Sequence, residues 1–323
     1  MARRSLALVA FAAFAAGLHA QSGSRLTDPP PAAPSRWQAQ IDALDGALRA
    51  RALTANDPKA YWVAGWLDAG DPVAQADAFA QARVAAPGEK MFLASLAMSC
   101  LAPVQPLPAP CDATDRLADW ASRDVDNGVP SLLLADRARA RNNATAMIAY
   151  LDEAAQRPRF DDYGSRGSLL LWDAVRALPG DAEPAARAEL VATYALRNES
   201  LVVRQMPSLC RDGQQVAEPV RAACNKAGTA VAERAATWPL RIAGARMAER
   251  SAAAGAAQDA AKSQLADVQR RAYECAQAGD PLAAAFESPD AAVRARAVAQ
   301  WSARLAQDAQ VGEVAACAAP AKG

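Results

Sequence analysis

The chain of 323 residues carries 35 basic and 35 acidic side chains, one histidine and six cysteines. Balanced charge gives no electrostatic footprint for nucleic acid or for an anionic membrane surface. The single histidine, His19, lies in an N-terminal segment that reads as an export signal, and loss of that segment excludes a Ser-His-Asp triad, a His-paired thiolate and a His metal site.

Arg3 and Arg4 form a positive n-region, followed by the apolar run Leu6 to Leu18, which is too short to span a bilayer. Ala20 suits the position before a peptidase cut, although Leu18 is large for its place, so cleavage a few residues earlier stays open. Residues 1–20 are therefore read as a signal peptide, and the mature chain keeps two more acidic than basic residues. Its expected destination is the periplasm or the extracellular space. Residues 21–35, with Asp28-Pro29-Pro30-Pro31, hold too few apolar groups to fold and read as a flexible tether.

Beyond the tether, hydrophobic content of 52% is inflated by alanine, which supplies more than a quarter of the chain, favours helix and buries little surface. Larger apolar residues recur at helical spacing and long Val/Ile/Thr alternations are missing, which predicts an all-α fold. Helices are expected at 36–52, 58–69, 72–85, 88–101, 112–123, 129–141, 144–157 and 165–178, punctuated by Asp57-Pro58, Asp71-Pro72 and Pro87-Gly88. Leu101 to Pro110 interrupts them with four prolines that hold it extended. Leu178-Pro179-Gly180-Asp181 is the best linker candidate, dividing a hairpin region (36–180) from a C-terminal helical region (181–323). In the latter, helices are expected at 181–204, 214–235, 238–251, 256–278 and 289–309. Whether the two regions are separate domains or one stack stays open.

Cys100, Cys111, Cys210, Cys224, Cys275 and Cys317 form an even set after the signal, as expected of an oxidising compartment. Spacing favours neighbours, so Cys100–Cys111 and Cys210–Cys224 close short loops and Cys275–Cys317 follows by elimination. No closely spaced thiols point to zinc or to a redox centre.

A search for chemistry mostly ends in rejections. There is no P-loop, no GxGxxG and no Ser-x-x-Lys; Gly164-Ser165-Arg166-Gly167-Ser168 departs from a nucleophile elbow and reads as a helix start. Asp124-Val125-Asp126-Asn127-Gly128 has glycine one position early for a calcium loop and Ala135 where the closing glutamate belongs, so it reads as an inter-helix turn whose Asn-Gly supplies positive φ. Trp37, Tyr61, Trp62 and Trp66 crowd the first helices, with Trp62 and Trp66 on one face, and are expected to fill the core of an alanine-rich bundle. Arg137, Arg139 and Arg141 read as a solvated charged face beside Asp136. No cofactor or metal site is expected.

Two family resemblances emerge from particular residues. Phe79-x-x-Ala82, Pro87 and Leu96-Ala97, then Leu117-x-x-Trp120 and Leu134-Ala135, with a fainter Leu151-x-x-Ala154, are spaced similarly to tetratricopeptide helix pairs over about residues 58–157. The interval from Leu96 to Leu134 exceeds the family's period, an excess the proline-rich insertion absorbs, and an irregular α-bundle satisfies the same spacings. The resemblance implies a TPR-like array with a concave face for protein or peptide partners, followed by a disulfide-stapled helical bundle. Leu196-Arg197-Asn198-Glu199-Ser200 resembles the glutamate-serine signature of lytic transglycosylases, which would make Glu199 the acid and base of a peptidoglycan-cleaving enzyme. The Gly-Leu-Met-Gln segment of that family is absent downstream. The expectation is a non-enzymatic scaffold, with the carboxylate enzyme as the alternative.

Overall fold

A computed structural model describes residues 35–318 apart from 69, 102–107, 113–114, 198–201, 204–205, 207–208 and 211–216. The signal peptide, nearly all of the tether and Glu199 lie outside the described residues. Within them the secondary structure is helical, with two isolated bridges in place of strands. The helices are α1 (Gln38–Thr54), α2 (Pro58–Leu67), α3 (Pro72–Ala85), α4 (Lys90–Ser99), α5 (Ala109–Asp112), α6 (Arg116–Arg123), α7 (Val129–Ala140) and α8 (Ala144–Gln156). They continue as α9 (Gly164–Arg176), α10 (Pro184–Arg197), α11 (Glu218–Arg234), α12 (Trp238–Ser251), α13 (Ala256–Phe286), α14 (Ala291–Val311) and α15 (Glu313–Ala318).

Cap chemistry sets many of these boundaries. Asp57 accepts hydrogen bonds from the amides of Lys59 and Ala60, with Pro58 in the first turn, and Asp71 does the same for Val73 and Ala74 ahead of Pro72. Asp115, Asn143 and Asp290 cap α6, α8 and α14 likewise. Each removes orphan amide donors that an unfinished helix end would leave unpaired.

Successive helices pack from α1 through α8, skipping only the short α5, and α8 then meets α11. The path continues through α12, α13 and α14, and α14 returns onto α9 and α10, which themselves rest on α1. The helices thus form a closed circuit, and one buried apolar cluster runs from Ile41 to Val298 without a break at Gly180. Gly180 has φ of 102° between α9 and α10, a left-handed turn that favours glycine. The densest contact is α11 on α12, where a Cβ on Gly228 would stand 2.5 Å from the Ala248 amide nitrogen and one on Gly244 2.6 Å from Val231 Cβ.

Closure depends on long-range polar contacts. Arg294, buried, pairs with Glu183 at 3.0 Å. Trp172 Nε1 donates to Ser302 at 2.8 Å. Arg49 binds Asp45 and Asp68 and donates to the Tyr194 hydroxyl, which joins α1 to α10. Helix α13 extends to Phe286 instead of ending near 278, carrying Gly279 and Pro281 within it. Its end is capped from afar: Arg36 donates to the carbonyls of Phe286, Glu287 and Ser288. Trp62 and Trp66 are buried side by side with ring centroids 4.7 Å apart, and Trp62 Nε1 reaches Ser95 Oγ at 2.9 Å.

All six cysteines are paired, as Cys100–Cys111, Cys210–Cys224 and Cys275–Cys317. Three disulfides belong to an oxidising, extracytoplasmic compartment. Among the described residues no helix is long and apolar enough to cross a membrane.

Candidate functional sites: a charged hub, a neutral-range carboxyl and a surface groove

The connector between α8 and α9, residues 157–163, touches turns from several parts of the circuit. Gly128 donates to the Arg159 carbonyl at 2.9 Å, and Ala236, in the turn between α11 and α12, donates to the Phe160 carbonyl at 2.9 Å. Phe160 is wholly buried, and a Cβ on Gly128 would lie 2.2 Å from its ring. The glycine in Asn127-Gly128 is therefore required by close approach and not by positive φ, because Gly128 sits at φ −79°. The positive φ falls on Tyr163, at 63°, where the chain turns into α9.

Beside that junction, the Asp124 carboxylate is fully buried and saturated with donors. Its Oδ2 accepts from Tyr163 Oη at 2.7 Å, Asn127 Nδ2 at 2.9 Å and Trp120 Nε1 at 3.2 Å. Its Oδ1 meets Arg159 Nη2 at 2.6 Å and Lys90 Nζ at 3.1 Å. Burial alone would raise its pKa, but the bonds from Asn127, Tyr163 and Lys90 and the charge of Arg159 outweigh it and hold the carboxyl below its ordinary range. Burial, together with the bond to Asp124, drives the Tyr163 phenol upward. Asn127 uses all four of its hydrogen bonds, donating to Asp124 and the Asp161 carbonyl and accepting from the Val129 and Asp161 amides. A carboxylate so occupied has no lone pair left for a substrate, and the hub's work is to lock the turns together.

Glu313, the first residue of α15, is different. Its Oε2 accepts from the Trp238 amide at 3.1 Å, supplying the cap that Thr237 does not give to α12. Burial raises its pKa to about 7; the Trp238 amide and Arg304 pull it down, while Asp308 and Asp162 push it up. A carboxyl that titrates near neutrality is what acid–base catalysis needs, but Glu313 is not among the groove-lining residues described next.

A groove of about 200 Å³ opens between the end of α1, the start of α2 and the end of α9. Leu48, Val63 and Leu170 supply apolar walls, and Arg51, Asp57, Lys59 and Asp173 stand around them. The Arg51 guanidinium is fixed to the Ala177 carbonyl at 2.8 Å, and Asp57 is already the cap of α2.

Of the residues singled out from sequence, Gly164 begins α9, Arg139 pairs with Asp136 at 2.9 Å, and Arg137 pairs with Asp115. Glu199 lies outside the described residues. Among those described, no group of three His, Cys, Asp or Glu side chains is placed to hold a metal ion. Sequence reasoning missed Arg159, Tyr163 and Glu313, and met Asp124 and Asn127 only as a turn. The available signal was two short polar clusters, Asp124 to Gly128 and Asp161-Asp162-Tyr163, each beside a helix start. A scan against family models and searches of curated proteins and solved structures find no match to the chain.

Proposed function

We propose that the protein is exported to the periplasm or beyond and acts there as a non-enzymatic scaffold, holding a peptide segment of a protein partner in the groove between α1, α2 and α9. In this reading residues 58–157 are a tetratricopeptide-like run of hairpins within the 36–180 region, and the disulfide-stapled 181–323 region closes the circuit behind it. The groove carries the proposal: its volume suits one or two apolar side chains, and its rim offers both signs of charge through Lys59 and Arg51, Asp57 and Asp173. The complementary ligand is an extended peptide with an apolar anchor flanked by charges of both signs. The hub supports the same reading, since its carboxylate is spent on structure.

The test is fluorescence polarisation of the mature protein against a peptide library varied at the anchor and flanks. Apolar anchors should bind in the micromolar range, Ala174→Arg should weaken them at least tenfold with the helical content intact, and Lys59→Glu should reverse the preference at one flank. Binding untouched by Ala174→Arg, preferred uptake of acyl chains, or release of muropeptides from peptidoglycan that disappears in Glu199→Gln would each overturn the proposal.

A further inference from the structure

The three disulfides have different surroundings. Cys210 and Cys224 are buried in the main core, Cys100 and Cys111 are half-buried with Cys100 against that core, and Cys275 and Cys317 are half-buried at its margin. They pack on a separate small cluster that includes Trp238, Ile242, Val268 and Ala272. Cys275 sits on α13 and Cys317 on α15, so the bridge fastens the last helix to the rest. α15 is also held by the Glu313 cap on Trp238, the Val314 amide on the Ala236 carbonyl at 3.1 Å, the Arg304 Nη2 bond to the Glu313 carbonyl at 3.5 Å, the buried side chain of Ala316, and the Gly312 turn into it from α14.

One of the two sulfurs also has a cation on it. Arg304 Nη2 lies 3.6 Å from Cys275 Sγ, while Arg304 Nε is held by Asp308 at 2.8 Å, which aims the guanidinium. Among the described residues neither of the other bridges has a charged donor on sulfur. A nearby guanidinium stabilises a thiolate, and a disulfide breaks faster when its departing sulfur is the better-stabilised thiolate. The carboxylates that oppose the effect are Asp308, partly neutralised by its own pairing with Arg304, and Glu313, whose Oε2 is bound to the Trp238 amide.

We propose that Cys275–Cys317 is a thiol–disulfide exchange site for a dithiol reductant, with Cys275 departing as the thiolate beside Arg304, and that its opening frees α15 from the start of α12. One reductant thiolate attacks Cys317 Sγ, a mixed disulfide forms, and the Cys275–Cys317 bond breaks with its electron pair going to Cys275 Sγ. The second reductant thiol gives up its proton and attacks its own sulfur in the mixed disulfide, releasing the Cys317 thiolate. Two electrons and two protons pass to the protein, which ends with two thiols, and the reductant ends as a disulfide. The other two bridges stay closed, and because α15 rests on the small cluster the main core survives.

The test uses the mature protein with limiting dithiothreitol, differential alkylation and peptide mapping, and with glutathione to trap the first intermediate. Cys275 and Cys317 should alkylate before the other four, hydrogen exchange at the Trp238 and Val314 amides should rise while amides in α7 and α11 stay protected, and glutathione should be found on Cys317. Arg304→Gln should slow opening about threefold, because the departing thiolate loses its cation, and should spread the adduct over both sulfurs. Arg304→Lys should restore both the rate and the position. Earlier or simultaneous opening of Cys100–Cys111, a glutathione adduct on Cys275, or an Arg304→Gln variant that opens like wild type would overturn the proposal. The adduct position in the wild type decides the direction of attack even where the variant does not fold.

Discussion

Replacing Asp124 by alanine removes a carboxylate whose side chain is 0% exposed and on which five donors converge. The cost divides by where those donors are left. Arg159 and Lys90 are 33% and 44% exposed, so water rehydrates both and their electrostatic loss is small. The Tyr163 hydroxyl, the Asn127 amide and the Trp120 indole are buried and lose their acceptor, at about 1–3 kcal/mol each before water enters the space. An overall loss of about 3–5 kcal/mol follows, in line with breaking one side of a buried charged network. Asp124→Asn keeps the volume and one good acceptor, and should lose about half as much.

The measurement is urea unfolding of wild type and both variants, comparing midpoints at unchanged slope. Because the folded-state pKa is depressed below the ordinary 3.8, Asp124 contributes fully above that value and its contribution fades as the pH falls through the lower folded value. The gap between wild type and Asp124→Ala should therefore stay constant from pH 7 to pH 5 and narrow only below about pH 4. A loss under about 1 kcal/mol at pH 7, or a gap that closes already between pH 7 and 5, would refute the hub as the lock on these turns.

Glu313 gives the opposite pH dependence. Its pKa is raised from 4.5 to about 7, so its contribution is complete below 4.5 and is lost as the pH rises through about 7. Glu313→Gln imitates the protonated form and should flatten the stability profile between pH 5 and 7, gaining up to about 3 kcal/mol on wild type above pH 7; identical thermal melts of the two proteins at pH 5 and pH 8 would contradict this. Gly128→Ala should cost about 2–3 kcal/mol, because its Cβ would meet buried Phe160. Gly46→Ala, in an exposed part of α1 with nothing within 4 Å, should instead stabilise by up to about 1 kcal/mol, so the pair measured by chemical denaturation separates packing from propensity. Intact mass of the protein recovered from its cell should place its N-terminus at or near Gln21, and a chain that keeps Arg3 and Arg4 would overturn the export reading.

Most helices were legible because their determinants are local. The pairs Asp57-Pro58 and Asp71-Pro72 are complete start signals within two residues, and α3 and α12 run as their spacing predicts, over 72–85 and 238–251. At the end of α13 and at α15, the missing cause was distant in sequence. The extension of α13 to Phe286 is supported by Arg36, some 250 positions away. α15 depends on Trp238 for its first residue's bond and on Cys275 for its covalent anchor, so nothing within its six residues announces it.

The hub was illegible for a related reason. Asp124, Asn127, Asp161 and Tyr163 are residue types that turns use freely, and each read alone is a solvated loop. Burial changes their meaning, and burial here is decided by Phe160, whose aromatic ring presses on Gly128 while its carbonyl accepts from Ala236, 76 residues later. Once that ring excludes water, a single carboxylate must answer every nearby donor, and the bonds from Tyr163, Asn127, Trp120, Arg159 and Lys90 do so together. Circuit closure follows the same logic, since Glu183–Arg294 and Trp172–Ser302 link positions more than a hundred residues apart. A helical chain can thus declare its elements through caps while concealing its arrangement in the few polar groups it buries; reversing the Glu183–Arg294 pair should recover stability that either single charge reversal loses.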